Sequence, residues 1–216
     1  MAPKSLPIAA ACTRIALAPF VHGDEGTLPD GPAIVAPNHS SFLDGPIIGS
    51  RYAWRTGRPL GFLLYDEPFR NPFFGWFLRT TQCIPFRRGN RESQTAALHA
   101  ALARLHGGHA VGCFPEAHIN QGRRLGTFRP GAALLALDSG APIVPTGIVG
   151  SDETMPIGAS VPRWGRRIRI RFGEALHFPD EAKVYPLAGR EERAELVETI
   201  LARVRTEVAR LSERDE

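Results

Sequence analysis

The chain has 216 residues, of which 43% are hydrophobic, 22% charged and 8% aromatic, with 22 Gly and 19 Pro. That length and apolar share suit one globular domain with a sizeable core, and they exclude a disordered or collagen-like chain. Lys and Arg number 26 against 22 Asp and Glu, a net charge of +4. This balance favours anionic partners without choosing among phosphates, nucleic acid and an acidic membrane surface. Cys12, Cys83 and Cys113 share no CxxC spacing. Their pattern argues against a disulfide framework and a sulfur-ligated metal, and for a reducing, intracellular compartment.

The first segment is apolar from Leu6 to Val21, but Thr13 and Arg14 break it and Pro7 and Pro19 flank it. It falls short of the roughly 18 to 20 uninterrupted apolar residues of a spanning helix. We expect a helix within residues 1–20 that covers the core or lies in a membrane interface, ahead of one domain over 21–216. After Gly31, short apolar runs at 33–37, 61–65, 82–86, 110–114, 142–150 and 167–173 predict strands. Helices are predicted between them at 46–56, 72–80, 91–106 and 130–138, and after them at 191–213. Asn71 before Pro72 and Asn90 suit helix N-caps, while Gly107 and Gly140 suit C-termini. The last helix is marked by Leu196, Ile200, Val204, Val208 and Leu211, an apolar stripe between charged residues. The alternation of strand and helix predicts an α/β fold, with a mixed, largely parallel sheet flanked by helices.

Two loops concentrate chemistry. Asn38-His39-Ser40-Ser41-Phe42-Leu43-Asp44 lies where the first core strand ends and the first helix begins, the place where ligands gather in α/β folds. Pro46 belongs to a first helical turn, so the helix should start near Asp44, with His39 on the turn before it. Asp44 can then return to the imidazole and fix its tautomer, leaving the other ring nitrogen as a base for a hydroxyl proton. The same residues also suit a purely structural turn, in which Ser41 and Asp44 form a capping box.

The second loop opens with Phe114-Pro115-Glu116-Ala117-His118 at another strand end and continues through Arg123, Arg124 and Arg129. It offers an anion-binding rim ahead of a helix N-terminus, or simply a solvated basic loop.

With these residues in view, the sequence resembles the glycerolipid acyltransferase family. The NHxxxxD block stands as Asn38 to Asp44, the second block as Ile84-Pro85-Phe86-Arg87-Arg88, the FPEGTR block as Phe114 to Ile119, and the V-P block as Ile143-Val144-Pro145-Thr146. The resemblance implies a glycerol-3-phosphate acyltransferase-like fold and transfer of a fatty acyl group from acyl-CoA or acyl carrier protein to a glycerolipid hydroxyl. The expected acceptor is lysophosphatidic acid. In that scheme His39 is the base and Asp44 orients it, no covalent acyl-enzyme forms, and no metal or organic cofactor takes part. Arg88 and Glu116 match positions linked to acceptor binding.

Two departures bear on the acceptor. Ile119 stands where the family block has its arginine, and Tyr65 stands where many members have a lysine. Losing two cations should weaken a phosphate-monoester site unless Arg88, His118, Arg123, Arg124 or Arg129 substitutes. The acceptor is then lysophosphatidic acid held by a rearranged basic set, or another lysolipid or polar-lipid hydroxyl. Phe69, Phe73, Phe74, Trp76 and Phe77 crowd one short helix, which suits either a core helix or insertion at a bilayer. With the N-terminal segment they predict peripheral attachment to the inner face of the membrane, in the cytoplasm, and the basic strand at 167–173 is read as half-exposed sheet rather than a nucleic-acid surface. Two further readings are a metal-dependent hydrolase using His39, Asp44, Glu116 and His118, and a lipid-binding protein without turnover.

Overall fold

A computed structural model describes residues 20–216. The N-terminal helix expected ahead of Phe20 and the Cys12 thiol lie outside the described residues. The sheet is built from β1 (Val21–Glu25), β2 (Ile34–Pro37), β3 (Leu60–Tyr65), β4 (Ile84–Phe86), β5 (Ala110–Gly112), β6 (Ile143–Val149) and β7 (Ile168–Phe172). Their spatial order is β1-β7-β6-β2-β5-β3-β4. The five strands from β6 to β4 run parallel, β7 runs antiparallel to β6, and β1 is parallel to β7. The mixed, largely parallel sheet is therefore as the strand and helix alternation predicts.

Parallel neighbours need crossovers, and helices supply them on both faces. On one face α1 (Asp44–Thr56) buries Ile47, Ile48 and Tyr52 against Val35, Val144 and Ile170. On the other, α3 (Arg91–His106), α4 (Gly131–Ser139) and α7 (Arg190–Ser212) cover Ile34, Val111 and Ile143. The alternation along β2, with Ile34 and Ala36 facing one core and Ala33 and Val35 the other, is the signature of a strand buried on both sides. Gly147 is required by the close approach of α7, since a Cβ there would lie 2.3 Å from the Leu211 backbone. Among the described residues three short α-helices, α2 (Pro72–Thr80), α5 (Ser151–Thr154) and α6 (Pro179–Val184), and a single helical turn at Glu67–Arg70 complete the fold.

The caps follow the local chemistry. The side chains of Asn71 and Asn90 accept hydrogen bonds from the N–H groups of Phe74 and Ser93, starting α2 and α3 as expected. Gly140 ends α4 in the left-handed region, as its lack of a Cβ permits.

Strand polarity has one consequence for function. The C-terminal ends of β2, β3, β4, β5 and β6 share one edge of the sheet with the N-terminal ends of β1 and β7. The loops after His39, Tyr65, Phe86, Gly112 and Val149 therefore all open on that edge.

Candidate active site

Asn38 anchors the first loop. Its side-chain amide donates to the carbonyl of Ile148 at 3.0 Å, and its oxygen accepts from the N–H of the same residue at 2.8 Å. This two-way clamp ties the end of β2 to β6 and fixes where His39 emerges.

Asp44 begins α1 and is fully buried. Its Oδ2 accepts from the N–H of Ser40 at 2.6 Å, from the N–H of Ser41 at 2.8 Å, and lies 2.9 Å from His39 Nδ1. Two backbone donors and the positive end of α1 thus hold the carboxylate against the imidazole. Only half of the capping-box alternative forms, the Asp44 carboxylate accepting from the Ser41 N–H. Ser41 Oγ donates to the carbonyl of Met155 at 2.9 Å and accepts from the Leu43 N–H, and no side chain caps α1 at Leu43.

The imidazole ring stacks on Phe114, with centroids 3.9 Å apart, and Phe114 stacks in turn on Phe62 at 4.7 Å. Gly112 makes room for this pile, because a Cβ there would sit 2.4 Å from the Phe62 ring. With Nδ1 engaged and one ring face covered, Nε2 is the nitrogen left for an incoming proton.

His39 opens into a cavity of about 580 Å3. Leu63, Phe86, Leu98 and Leu134 supply apolar wall, while Arg88, Arg91, Arg129 and His118 supply cationic or titratable groups. Tyr65 sits between them, with the Arg88 guanidinium 4.2 Å above its ring and the His118 ring 6.4 Å away. Pro130 and Gly131 bring the start of α4 to the same space. Cys113 also lines the cavity, but burial pushes its thiol up to about 12, so it stays protonated at neutral pH and is a poor nucleophile.

The predicted site residues separate into three groups. His39, Arg88, His118 and Arg129 meet at the cavity. Glu116 does not reach it. It is buried, with Oε1 accepting from the His39 N–H at 2.9 Å and Oε2 accepting from the Gly126 N–H at 2.7 Å and the Asn120 amide at 3.0 Å. Its capacity is spent on shaping two loops. Arg123 and Arg124 do not reach the cavity either, because Asp215 pairs with the backbone of this stretch: its N–H donates to the Arg123 carbonyl and its own carbonyl accepts from the Leu125 N–H.

Arg91 and Asn120 are the residues that the sequence reading passes over. Asn120 donates from its N–H to the His39 carbonyl at 2.7 Å and is itself held by Arg214, which donates to its carbonyl at 2.7 Å. Among the described residues no three His, Cys, Asp or Glu side chains converge for an ion, so His39, Asp44, Glu116 and His118 do not form a metal-ligand set.

Over 148 residues the chain is 29% identical to the chloroplastic 1-acyl-sn-glycerol-3-phosphate acyltransferase of Arabidopsis thaliana, covering 68% of this chain and 40% of that protein. It is 30% identical over 139 residues to the lyso-ornithine lipid O-acyltransferase of Pseudomonas aeruginosa, covering 64% and 51%. The chain therefore spans about half, or less, of these curated relatives. In fold it resembles the crystal structure of the 1-acyl-sn-glycerophosphate acyltransferase of Thermotoga maritima, with a TM-score of 0.65 and 22% identity over 95% of this chain and 79% of that one. Residues 18–149, well over half of the sequence, match the family model described as Acyltransferase, and the chain belongs to that family.

Proposed function

We propose that this protein is an O-acyltransferase that moves a fatty acyl group from acyl-CoA or acyl carrier protein to a lysolipid hydroxyl, with lysophosphatidic acid as the acceptor and phosphatidic acid as the product. The observation that carries this reading is the 2.9 Å contact between His39 Nδ1 and the buried Asp44 carboxylate at the wall of a large, partly cationic cavity. Asp44 holds the tautomer, so Nε2 takes the acceptor hydroxyl proton as the oxygen attacks the thioester carbonyl. The tetrahedral intermediate then expels the thiolate, and the imidazolium returns the proton to it. His39 acts without a covalent acyl-enzyme, and no metal or organic cofactor enters the scheme.

Arg88, Arg91, Arg129 and His118 bind the acceptor's anionic headgroup in this reading. A second acceptor class is favoured by one observation: the place of a lysine is taken by Tyr65, whose ring is covered by Arg88 at 4.2 Å. That arrangement suits a larger headgroup of lower charge better than a bare phosphate monoester.

Attachment to the inner face of the membrane belongs to the same proposal. Among the described residues no helix is long and apolar enough to cross a bilayer. α2 exposes Phe74 and Trp76 and buries Leu78, whereas Phe69 is not part of it but is buried in the separate helical turn Glu67–Arg70; the Phe73 side chain lies outside what is described.

The test is acyl transfer from labelled acyl-CoA and from acyl carrier protein to lysophosphatidic acid and to lysolipids with larger headgroups, with wild type beside His39→Ala. A His39-dependent product is the expected result. Equal turnover by the variant refutes the base assignment, and lipid binding with no turnover by wild type returns the protein to the class of silent lipid binders.

A further inference from the structure

The edge of the sheet that carries His39 also carries an apolar, cationic surface that the reaction itself does not use. Between α5 and β7, the segment 155–167 exposes Ile157 at 59%, Val161 at 70% and Trp164 at 78% of their areas. Such exposure of large apolar side chains within one short loop is not what a solvated surface selects. The loop is not a loose excursion. The Arg163 N–H donates to the Thr154 carbonyl at 2.7 Å and closes its base, the Ala159 N–H donates to the Pro156 carbonyl at 3.0 Å within it, and the Trp164 ring packs on Phe20 with centroids 5.1 Å apart.

One contact ties this loop, and a second ties α5 just ahead of it, to the candidate active site. Ser41 Oγ donates to the carbonyl of Met155, and Ser40 Oγ lies 2.9 Å from Ser151 Oγ. Phe42, exposed at 59%, follows Ser41 directly and adds a fourth apolar side chain at the catalytic turn. Phe20, the first described residue, belongs to this same patch through its contact with Trp164.

Charge decides the occupant. The acids beside the loop are already matched, Asp152 by Arg214 at 3.1 Å and Glu153 by Arg166 at 3.1 Å. Arg163 and Arg167 are exposed and make no ion pair among the described residues. Across the same edge, Arg88, Arg91 and Arg129 rim the cavity. Along this one edge of the sheet, exposed apolar side chains and guanidinium groups therefore lie together, the pattern that fits acyl chains below a layer of anionic headgroups. A second protein copy would bring the same positive charge to itself.

We propose that the loop 155–167, with Phe42, is the surface by which this protein docks on an anionic lipid bilayer, setting the cavity mouth at the level of the headgroups. This rests on the acyl-transfer reading only for its purpose, since the docking itself is measured without turnover. Trp164 and Val161 enter the interface, Arg163 and Arg167 pair with lipid phosphates, and an acceptor reaches His39 without leaving the membrane plane.

The experiment uses the full chain and its co-sedimentation with vesicles of phosphatidylcholine, with and without phosphatidylglycerol. The triple variant Ile157→Ser, Val161→Ser, Trp164→Ser should lose roughly tenfold or more of its partitioning. The double variant Arg163→Gln, Arg167→Gln should lose about fivefold per arginine on the anionic vesicles alone, together with the salt sensitivity of binding. Both variants should keep wild-type thermal unfolding and wild-type turnover of a short-chain, water-soluble lysolipid. Vesicle binding by the triple variant equal to wild type overturns the proposal. So does a wild-type dimer that the triple variant converts to monomer, which assigns the patch to a second copy. Failure of wild type to acylate the soluble lysolipid while still binding vesicles strikes the acyl-transfer reading and leaves the docking surface standing.

Discussion

The Oε1 atom of Glu116 accepts the backbone N–H of His39 at 2.9 Å, linking residues 77 apart in sequence. Its other oxygen accepts from Gly126 and Asn120, so one carboxylate positions the loop of His39 and the loop that rims the cavity. Glu116→Ala leaves these donors without their acceptor in a buried place. Charge-assisted hydrogen bonds of this kind contribute about 1.5–3 kcal/mol each, so the loss should reach several kcal/mol and show as a large fall in Tm. Glu116→Gln keeps one acceptor oxygen but turns an N–H₂ toward an N–H donor, and should fall between the two. In both variants kcat should drop more than acceptor KM rises, because Glu116 acts through the position of His39. A Tm unchanged by Glu116→Ala contradicts this role.

Asp44→Asn probes the other side of the imidazole. The amide oxygen can still accept from Ser40 and Ser41, so the turn should survive with a loss of about 1–3 kcal/mol. What the variant lacks is a charge to hold the ring and stabilise the imidazolium that forms as the proton moves. A fall in kcat of about 10²- to 10⁴-fold is expected, with acceptor KM nearly unchanged. Steady-state kinetics on vesicle-borne acceptor measures both parameters, and a change confined to KM would move Asp44 from orienting the base to binding the substrate.

The cationic wall makes a separate prediction. Arg91→Ala removes one guanidinium from the cavity and should raise acceptor KM by about 10- to 100-fold, the equivalent of one charge-assisted hydrogen bond, with kcat retained. Tyr65→Lys restores a cation beside Arg88 and should shift preference toward lysophosphatidic acid over lysolipids with larger headgroups. The ratio of kcat/KM for the two acceptors is the readout. No change in that ratio would separate Tyr65 from headgroup selection.

These assignments also mark where the sequence was legible. The start of α1 at Asp44, the Asn caps at 71 and 90 and the pairing of Asp44 with His39 all arise from interactions a few residues apart, which spacing records. β1 was missed because VHGDE has no apolar alternation: it is an edge strand, held through its backbone by β7. The short α5 and α6 have few buried side chains to impose a period. Arg123 and Arg124 looked like partners of the cavity because they follow Glu116 in the chain, yet Asp215 draws that part of the loop away across 91 residues. Arg91 entered the site only through the parallel placement of β4 beside β3, which no local pattern states. The arginines of β7 were read correctly as a half-exposed face, since Ile168 and Ile170 are buried while Arg169 and Arg171 pair with Glu213.

A further departure from the family block is Ala117, which stands where FPEGTR has glycine and adopts a φ of 59°. The left-handed region brings a Cβ close to the following carbonyl, at a cost of roughly 1 kcal/mol for a residue other than glycine. Ala117 keeps that conformation because the loop is fixed on both sides, by the Glu116 carboxylate and by its own N–H donating to the Phe114 carbonyl at 3.1 Å. Ala117→Gly should therefore stabilise the folded state by up to about 1 kcal/mol, after the added freedom of glycine in the unfolded chain takes back part of the gain. The methyl group also lines the cavity, so its removal widens the space next to His118 without removing a charge. Denaturant unfolding should show a higher midpoint at unchanged slope, with kcat/KM altered by less than a few-fold. A lower midpoint would mean that the methyl packing against the cavity wall outweighs the backbone strain, and would make Ala117 a wall residue selected for the shape of its acceptor.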